Sequence, residues 1–199
     1  MLKRVLLGIA VAFVALVAVV WILKARADAR VFDGYHSGLP FNEQIRFDEQ
    51  REAYRRVEFT IDAQPLVEDP LVATVPIIMC MPKTEGPHPA LIFLHGIGQK
   101  KDFVEEIAAP FVREGFAILS MDQYTQGERD LREPDWAKSG FGALRWGLVQ
   151  ADALKRRAAP AELETRRIVD YLVDRPDIDG ERIYLLGASF GAITGATAT

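Results

Sequence analysis

Cysteine is nearly missing: Cys80 is the only one in 199 residues. No internal disulfide can form, and no cysteine-based metal cluster. Histidine is almost as scarce, with His36, His88 and His95 the whole set. There is no H-x-x-x-H pair and no carboxylate cluster of ligand spacing, so no metal is expected. The fingerprint G-x-G-x-x-G is absent after Gly187, and no cofactor is expected either. Positive charge is also in short supply. The formal net charge is −4, and residues 1–27 hold Lys3, Arg4, Lys24 and Arg26 with no acid. Residues 28–199 therefore have 20 basic against 28 acidic side chains. An acidic body repels phosphate backbones, which excludes nucleic acid as a partner.

One segment lacks charge altogether. Residues 5–23 read VLLGIAVAFVALVAVVWIL. As a helix this run spans roughly 28 Å, close to the hydrocarbon thickness of a bilayer. Trp21 stands near one end, where an indole favours the interface. Residues 1–27 are thus expected to be a membrane anchor. A cleaved signal peptide is the alternative, with Lys3 and Arg4 as its basic start and Ala25-Arg26-Ala27 as a small-x-small site. The run is longer than a usual signal core, and Lys24 and Arg26 crowd the cut. Basic residues flank both ends, so the positive-inside rule does not orient the span. Anchor and signal peptide alike would export the remainder of the chain, and the body is expected outside the cytoplasm. A reporter fused at residue 199 and active only inside the cytoplasm would reverse that expectation.

Residues 28–54 are polar and mixed and read as a linker, with room for one short helix. Beyond it, strand and helix signals alternate. Arg55–Ile61 (RRVEFTI) and Val75–Met81 (VPIIMCM) read as strands. A turn at Gly86-Pro87 precedes Ala90–Leu94 (ALIFL), a continuous apolar run of the kind buried on both faces of a parallel sheet. Asp102 is placed to cap a helix from Phe103 to Glu114 ended by Gly115. Phe116–Met121 and Arg182–Leu186 are further strands. Ala161–Val173 is a helix with Ile168, Val169, Leu172 and Val173 as its apolar stripe. The stretch 122–160 is irregular, with Trp136, Phe141 and Trp146 among many charges. It reads either as a lid or as a surface excursion. The alternation predicts a doubly wound, mostly parallel α/β sheet over residues 55–199.

The chemistry is concentrated in Gly187-Ala188-Ser189-Phe190-Gly191, which fits G-x-S-x-G. The chain must turn sharply there from strand to helix, putting Ser189 in a strained backbone conformation. Gly187 and Gly191 remove side chains that would collide. The hydroxyl then stands exposed, and the helix start directs backbone N–H groups toward it. Such donors favour the anionic tetrahedral intermediate of acyl transfer. A small-residue turn is the alternative, but the motif follows a strand and opens a helix. A second loop, His95-Gly96-Ile97-Gly98, also directly follows a strand. Its glycines let the backbone approach a substrate. The Ile97 N–H would pair with that of Phe190 as an oxyanion hole.

In this order the chain resembles the α/β-hydrolase family, nearest its dienelactone hydrolase and acetyl-xylan-esterase-like branch. The matching residues are PALIFLHGIG (89–98), EGFAILSMD (114–122), Gly127-Glu128-Arg129 and RRIVDYLVDRPDIDGERIYLLGASFG (166–191). The resemblance implies an eight-stranded, mostly parallel sheet, hydrolysis of acyl bonds in a small-molecule substrate, and a triad in the order serine, acid, histidine. Only Phe190 to Thr199 follow Ser189, with neither acid nor histidine. His95 belongs to the oxyanion loop, where its role is structural, and Asp122 at a strand end reads as fixing the next loop. The domain is therefore expected to be the first part of a hydrolase through the nucleophile elbow, truncated after it. Alone it would lack a base and turn over no short esters. A non-catalytic, membrane-tethered binding protein or a pseudoenzyme on the same scaffold is the competing reading.

Overall fold

The computed structural model describes residues 13–22, 35–64, 73–129 and 140–198. They fall into two compact units, with the division at Tyr35 and His36. In the first, residues 13–22 form a helix (α1) whose apolar side chains, Phe13, Leu16 and Trp21 among them, are exposed. Among the described residues no helix is long and apolar enough to cross a membrane. The transmembrane helix expected over 5–23 is thus not found among them. Residues 5–12 and 23 lie outside the described residues, as do 28–34 of the expected linker.

The second unit is built on one six-stranded sheet. Its strands are β1 (Gln44–Gln50), β2 (Arg55–Asp62), β3 (Thr74–Met81), β4 (His88–Leu94), β5 (Ala117–Met121) and β6 (Ile178–Gly187). Their spatial order is β1-β2-β3-β5-β4-β6. The first correction concerns the linker. Residues 44–50 are an edge strand, hydrogen-bonded antiparallel to β2. Edge position explains why it reads as polar: every residue but Glu49 is exposed, Ile45 and Phe47 included. The second concerns direction. Three of the five pairings are antiparallel and only β4–β5 and β4–β6 are parallel, so the sheet is mixed rather than mostly parallel. The connection between β1 and β2, residues 51–54, is short enough for a hairpin, whereas parallel neighbours need a crossover of a dozen residues or more.

Two helices cover opposite faces of this sheet. Successive side chains in a strand point to opposite sides, and the core divides accordingly. Ile77, Met79 and Ile92 pack with Ile168, Tyr171 and Leu172 of α3 (Gly140–Val173). Ile78, Cys80, Leu91 and Phe93 pack with Val104, Ala108 and Val112 of α2 (Phe103–Arg113). Asp102 precedes α2 but makes no side-chain cap. The helix ends as expected at Gly115, whose φ of +84° is costless only for glycine. There the Phe116 N–H reaches back to the Phe111 carbonyl at 3.0 Å, a Schellman-type closure.

The third correction is α3 itself. It begins at Gly140, not Ala161, and carries Pro160 inside. A proline removes a helical N–H and costs about 3 kcal/mol in a helix interior, so a sequence pattern breaks there. The preceding turns, rich in Ala, Leu and Arg, have helix propensity enough to continue. The stretch 122–160 is therefore partly regular. Trp136 lies outside the described residues, and Phe141 is 81% exposed. A last helix, α4 (Phe190–Ala198), follows β6 after two residues.

Because β4 runs parallel to both β5 and β6, the carboxyl ends of these three strands are neighbours. The chain leaves them at His95, Asp122 and Ala188. The fold thereby collects three connections at one sheet end, where ligands of open α/β sheets bind.

Candidate functional site

Among the described residues, Ser189 is one of three non-glycine residues with positive φ, at +53°. An L-residue pays about 1–2 kcal/mol for that left-handed conformation. The surrounding packing holds it there. The Ala188 N–H donates to the Leu94 carbonyl at 3.0 Å, tying the turn to the end of β4. The Gly191 and Ala192 amides close back on the Ala188 and Ser189 carbonyls, each at 3.0 Å. A β-carbon on Gly191 would lie 1.9 Å from the Leu94 carbonyl oxygen, and one on Gly187 would lie 2.5 Å from the Ala192 Cα. Neither distance is tolerable, so both glycines are steric requirements of the turn. Ser189 itself is exposed, and no described group hydrogen-bonds its hydroxyl. Phe190 buries its ring and opens α4, so its N–H is among the first four of a helix, which have no intrahelical acceptor.

The loop 95–98 lies against this turn. A β-carbon on Gly96 would stand 3.3 Å from Ser189 Cβ and 3.5 Å from the Ala188 carbonyl oxygen. Two of the loop's amides are engaged inside the protein. Gly96 N–H donates to Gln99 Oε1 at 2.8 Å, and Gly98 N–H to Gln126 Oε1 at 3.1 Å. The Gly96 carbonyl is held as well, by His95 Nδ1 at 2.9 Å and the Gln99 N–H at 3.2 Å. A carbonyl only accepts, so Nδ1 carries the proton. In a trans peptide the C=O and the following N–H point in opposite directions. Holding the Gly96 oxygen inward therefore aims the Ile97 N–H outward. Ile97 is 51% exposed, and its amide has no partner among the described residues.

His95 is fully buried. Burial pushes its pKa down, against the Gly96 carbonyl and the Asp122 charge, which favour the cation. The imidazole is thus a neutral part of the loop's framework. His36 bonds through its backbone N–H to Gln64 Oε1, and His88 through its ring to the Thr84 carbonyl.

Residues of the turn after β5 complete the site's support, and most of these carry no sequence signal. Asp122, buried, accepts the Lys101 N–H at 2.8 Å and the Glu128 N–H at 2.9 Å. This matches its expected role of fixing the next loop. Gly127, with φ +60°, leaves the space that the carboxylate fills: a β-carbon there would fall 2.0 Å from Asp122 Oδ1. Lys101 Nζ lies among Glu58 (3.4 Å), Asp122 (3.6 Å) and Glu128. Burial alone would raise the Glu128 carboxyl, but the Lys101 ammonium and Arg46 guanidinium outweigh it and hold the pKa below its usual value. Arg129, also buried, pairs with Glu164 of α3 and donates to the Asp122 carbonyl at 3.0 Å. Gln123 donates through Nε2 to the His95 carbonyl at 2.6 Å. A glutamine in a polar loop is indistinguishable by sequence from a solvated one, so Gln99, Gln123 and Gln126 carry no sequence signal.

A parallel strand pair, a left-handed serine between strand and helix, and a glycine loop beside it define an α/β-hydrolase fold. A family model described as acetyl xylan esterase (AXE1) matches residues 72–199. That is well over half of the chain, which belongs to the acetyl xylan esterase (AXE1) family. Solved structures agree in fold. Acetyl xylan esterase 1 of Thermoanaerobacterium sp. aligns with TM-score 0.58 at 20% identity, over 87% of this chain and 53% of its own. The acetyl xylan esterase of Paenibacillus sp. R4 gives 0.60 at 18%, over 88% and 54%. A glucuronoyl esterase of Solibacter usitatus gives 0.52 at 15%, over 87% and 53%. The chain thus spans about half the length of these structures. No curated protein matches its sequence.

Proposed function

We propose that this chain supplies the nucleophile and oxyanion hole of a carboxyl-ester hydrolase. Ser189 Oγ attacks the acyl carbonyl, and the Ile97 and Phe190 amides receive the developing oxyanion. The alcohol leaves from the tetrahedral intermediate, and water releases the acyl group from Ser189 in a second round. A serine hydroxyl needs a general base for this, and none of the three histidines bonds to it. The family order places acid and base after the serine. The likeness to acetyl xylan esterases favours a small acyl group on a carbohydrate hydroxyl as substrate.

The observation that carries the proposal is the φ of +53° at Ser189, between two glycines that admit no side chain and beside an outward-facing amide. Strain of this kind persists only where the surroundings impose it, and it clusters at reacting centres. The test is covalent labelling. A fluorophosphonate should modify the folded full-length protein on Ser189 alone, and Ser189→Ala should abolish the label. A folded protein that resists the probe would leave the scaffold to the competing reading, binding without catalysis.

A further inference from the structure

We infer that Gln123 and Gln126 are positioning residues that hold the loop 95–98 from beneath and thereby fix the direction of the Ile97 amide. This rests on the proposed hydrolase function, in which that amide is an oxyanion donor. The two side chains come from one turn and reach the loop at two points. Gln123 Nε2 holds the His95 carbonyl at 2.6 Å, and Gln126 Oε1 holds the Gly98 N–H at 3.1 Å. The contacts bracket the Gly96–Ile97 peptide. With the His95 oxygen and the Gly98 nitrogen both fixed, the short glycine-rich segment between them loses most of its freedom to rotate.

The choice of residue supports a positioning role. Gln123 and Gln126 are 1% and 4% exposed. Each uses one amide atom on the loop, and the other, Gln123 Oε1 or Gln126 Nε2, is buried with no partner among the described residues. A buried amide with half its capacity unmet is disfavoured relative to an apolar side chain of similar size. A methionine would fill the space at lower cost. What methionine cannot supply is the contact to the loop backbone.

The variants Gln126→Met and Gln123→Met in the full-length protein test this, with p-nitrophenyl acetate as substrate. Loosening the donor should lower kcat by roughly 10- to 100-fold and leave KM within about three-fold, because the oxyanion exists only after attack. Melting temperatures should fall by no more than a few degrees, because each variant unpairs one backbone group of the loop but also removes an unmatched amide atom. A purely structural role would instead move the melting temperature and spare kcat. Should Gln126→Met not fold, Gln126→Asn decides: it keeps the amide but is too short to reach Gly98, and the same fall in kcat is expected. Wild-type kcat in either folded Gln126 variant overturns the positioning role and leaves the hydrolase intact. A folded parent that neither turns over the ester nor reacts with fluorophosphonate removes the hydrolase reading, and this inference with it.

Discussion

Ser189→Gly is expected to destroy activity and stabilise the protein at once. In a protein that carries this domain together with the acid and base of the family order, ester hydrolysis should fall by at least about 10⁴-fold, since a nucleophile acts as a unit with its partners and leaves only oxyanion-hole and binding effects when removed. Stability should move the other way. Ser189 sits at φ +53°, a conformation that costs a non-glycine residue about 1–2 kcal/mol and glycine almost nothing. Glycine returns part of that gain through its freer unfolded chain, leaving about 1 kcal/mol. Ser189→Ala is the control, because alanine loses the hydroxyl and keeps the strain. Urea titrations should therefore place the midpoint of Ser189→Gly above those of Ser189→Ala and the parent, with equal slopes. If glycine is no more stable than alanine, the left-handed serine is not a feature of the folded protein, and the case for a nucleophile elbow fails.

Much of this site was legible in the sequence because its requirements are local. A strand, a serine between glycines and a small-residue helix announce a tight turn wherever they occur. The loop 95–98 announces itself by two glycines directly after an apolar run. The apolar strands β2 to β6 were legible for the same reason, since each is read from its own residues. The misses are of another kind. β1 (Gln44–Gln50) is exposed on nearly every residue and carries little pattern. α3 crosses Pro160, where local rules end a helix and the structure does not. The antiparallel pairing of β3 with β5 is decided between segments almost forty residues apart, beyond the reach of any window. The supports of the site failed to show for that reason too. Gln123 and Gln126 each touch the loop across 28 positions, and Arg129 meets Glu164 across 35. Such contacts exist only once the carboxyl ends of β4, β5 and β6 stand side by side.

Gly191→Ala tests the junction on which that arrangement depends. The added methyl would lie 1.9 Å from the Leu94 carbonyl oxygen, 2.4 Å from its carbon and 2.9 Å from the His95 oxygen. All three are backbone atoms of the chain leaving β4, so no side chain can swing aside. Relief requires the end of β4 and the start of α4 to part by more than about 1 Å, given ordinary contact distances. That movement breaks the Ala188 N–H bond to the same Leu94 carbonyl and displaces the loop 95–98. Overpacking a backbone contact in this way is expected to cost about 3 kcal/mol or more. In whatever fraction still folds, kcat should fall by about 100-fold, the usual consequence of an ångström's misplacement at a reacting centre. Gly195→Ala supplies the comparison on the same helix. Its methyl would meet only Leu94 Cδ1, the free end of a side chain, at 3.2 Å. Helix propensity favours the change by up to about 1 kcal/mol, so stability should be equal or higher. Equal stability of Gly191→Ala and Gly195→Ala in chemical denaturation would mean that α4 does not start against β4, and Ser189 would then have no oxyanion loop beside it.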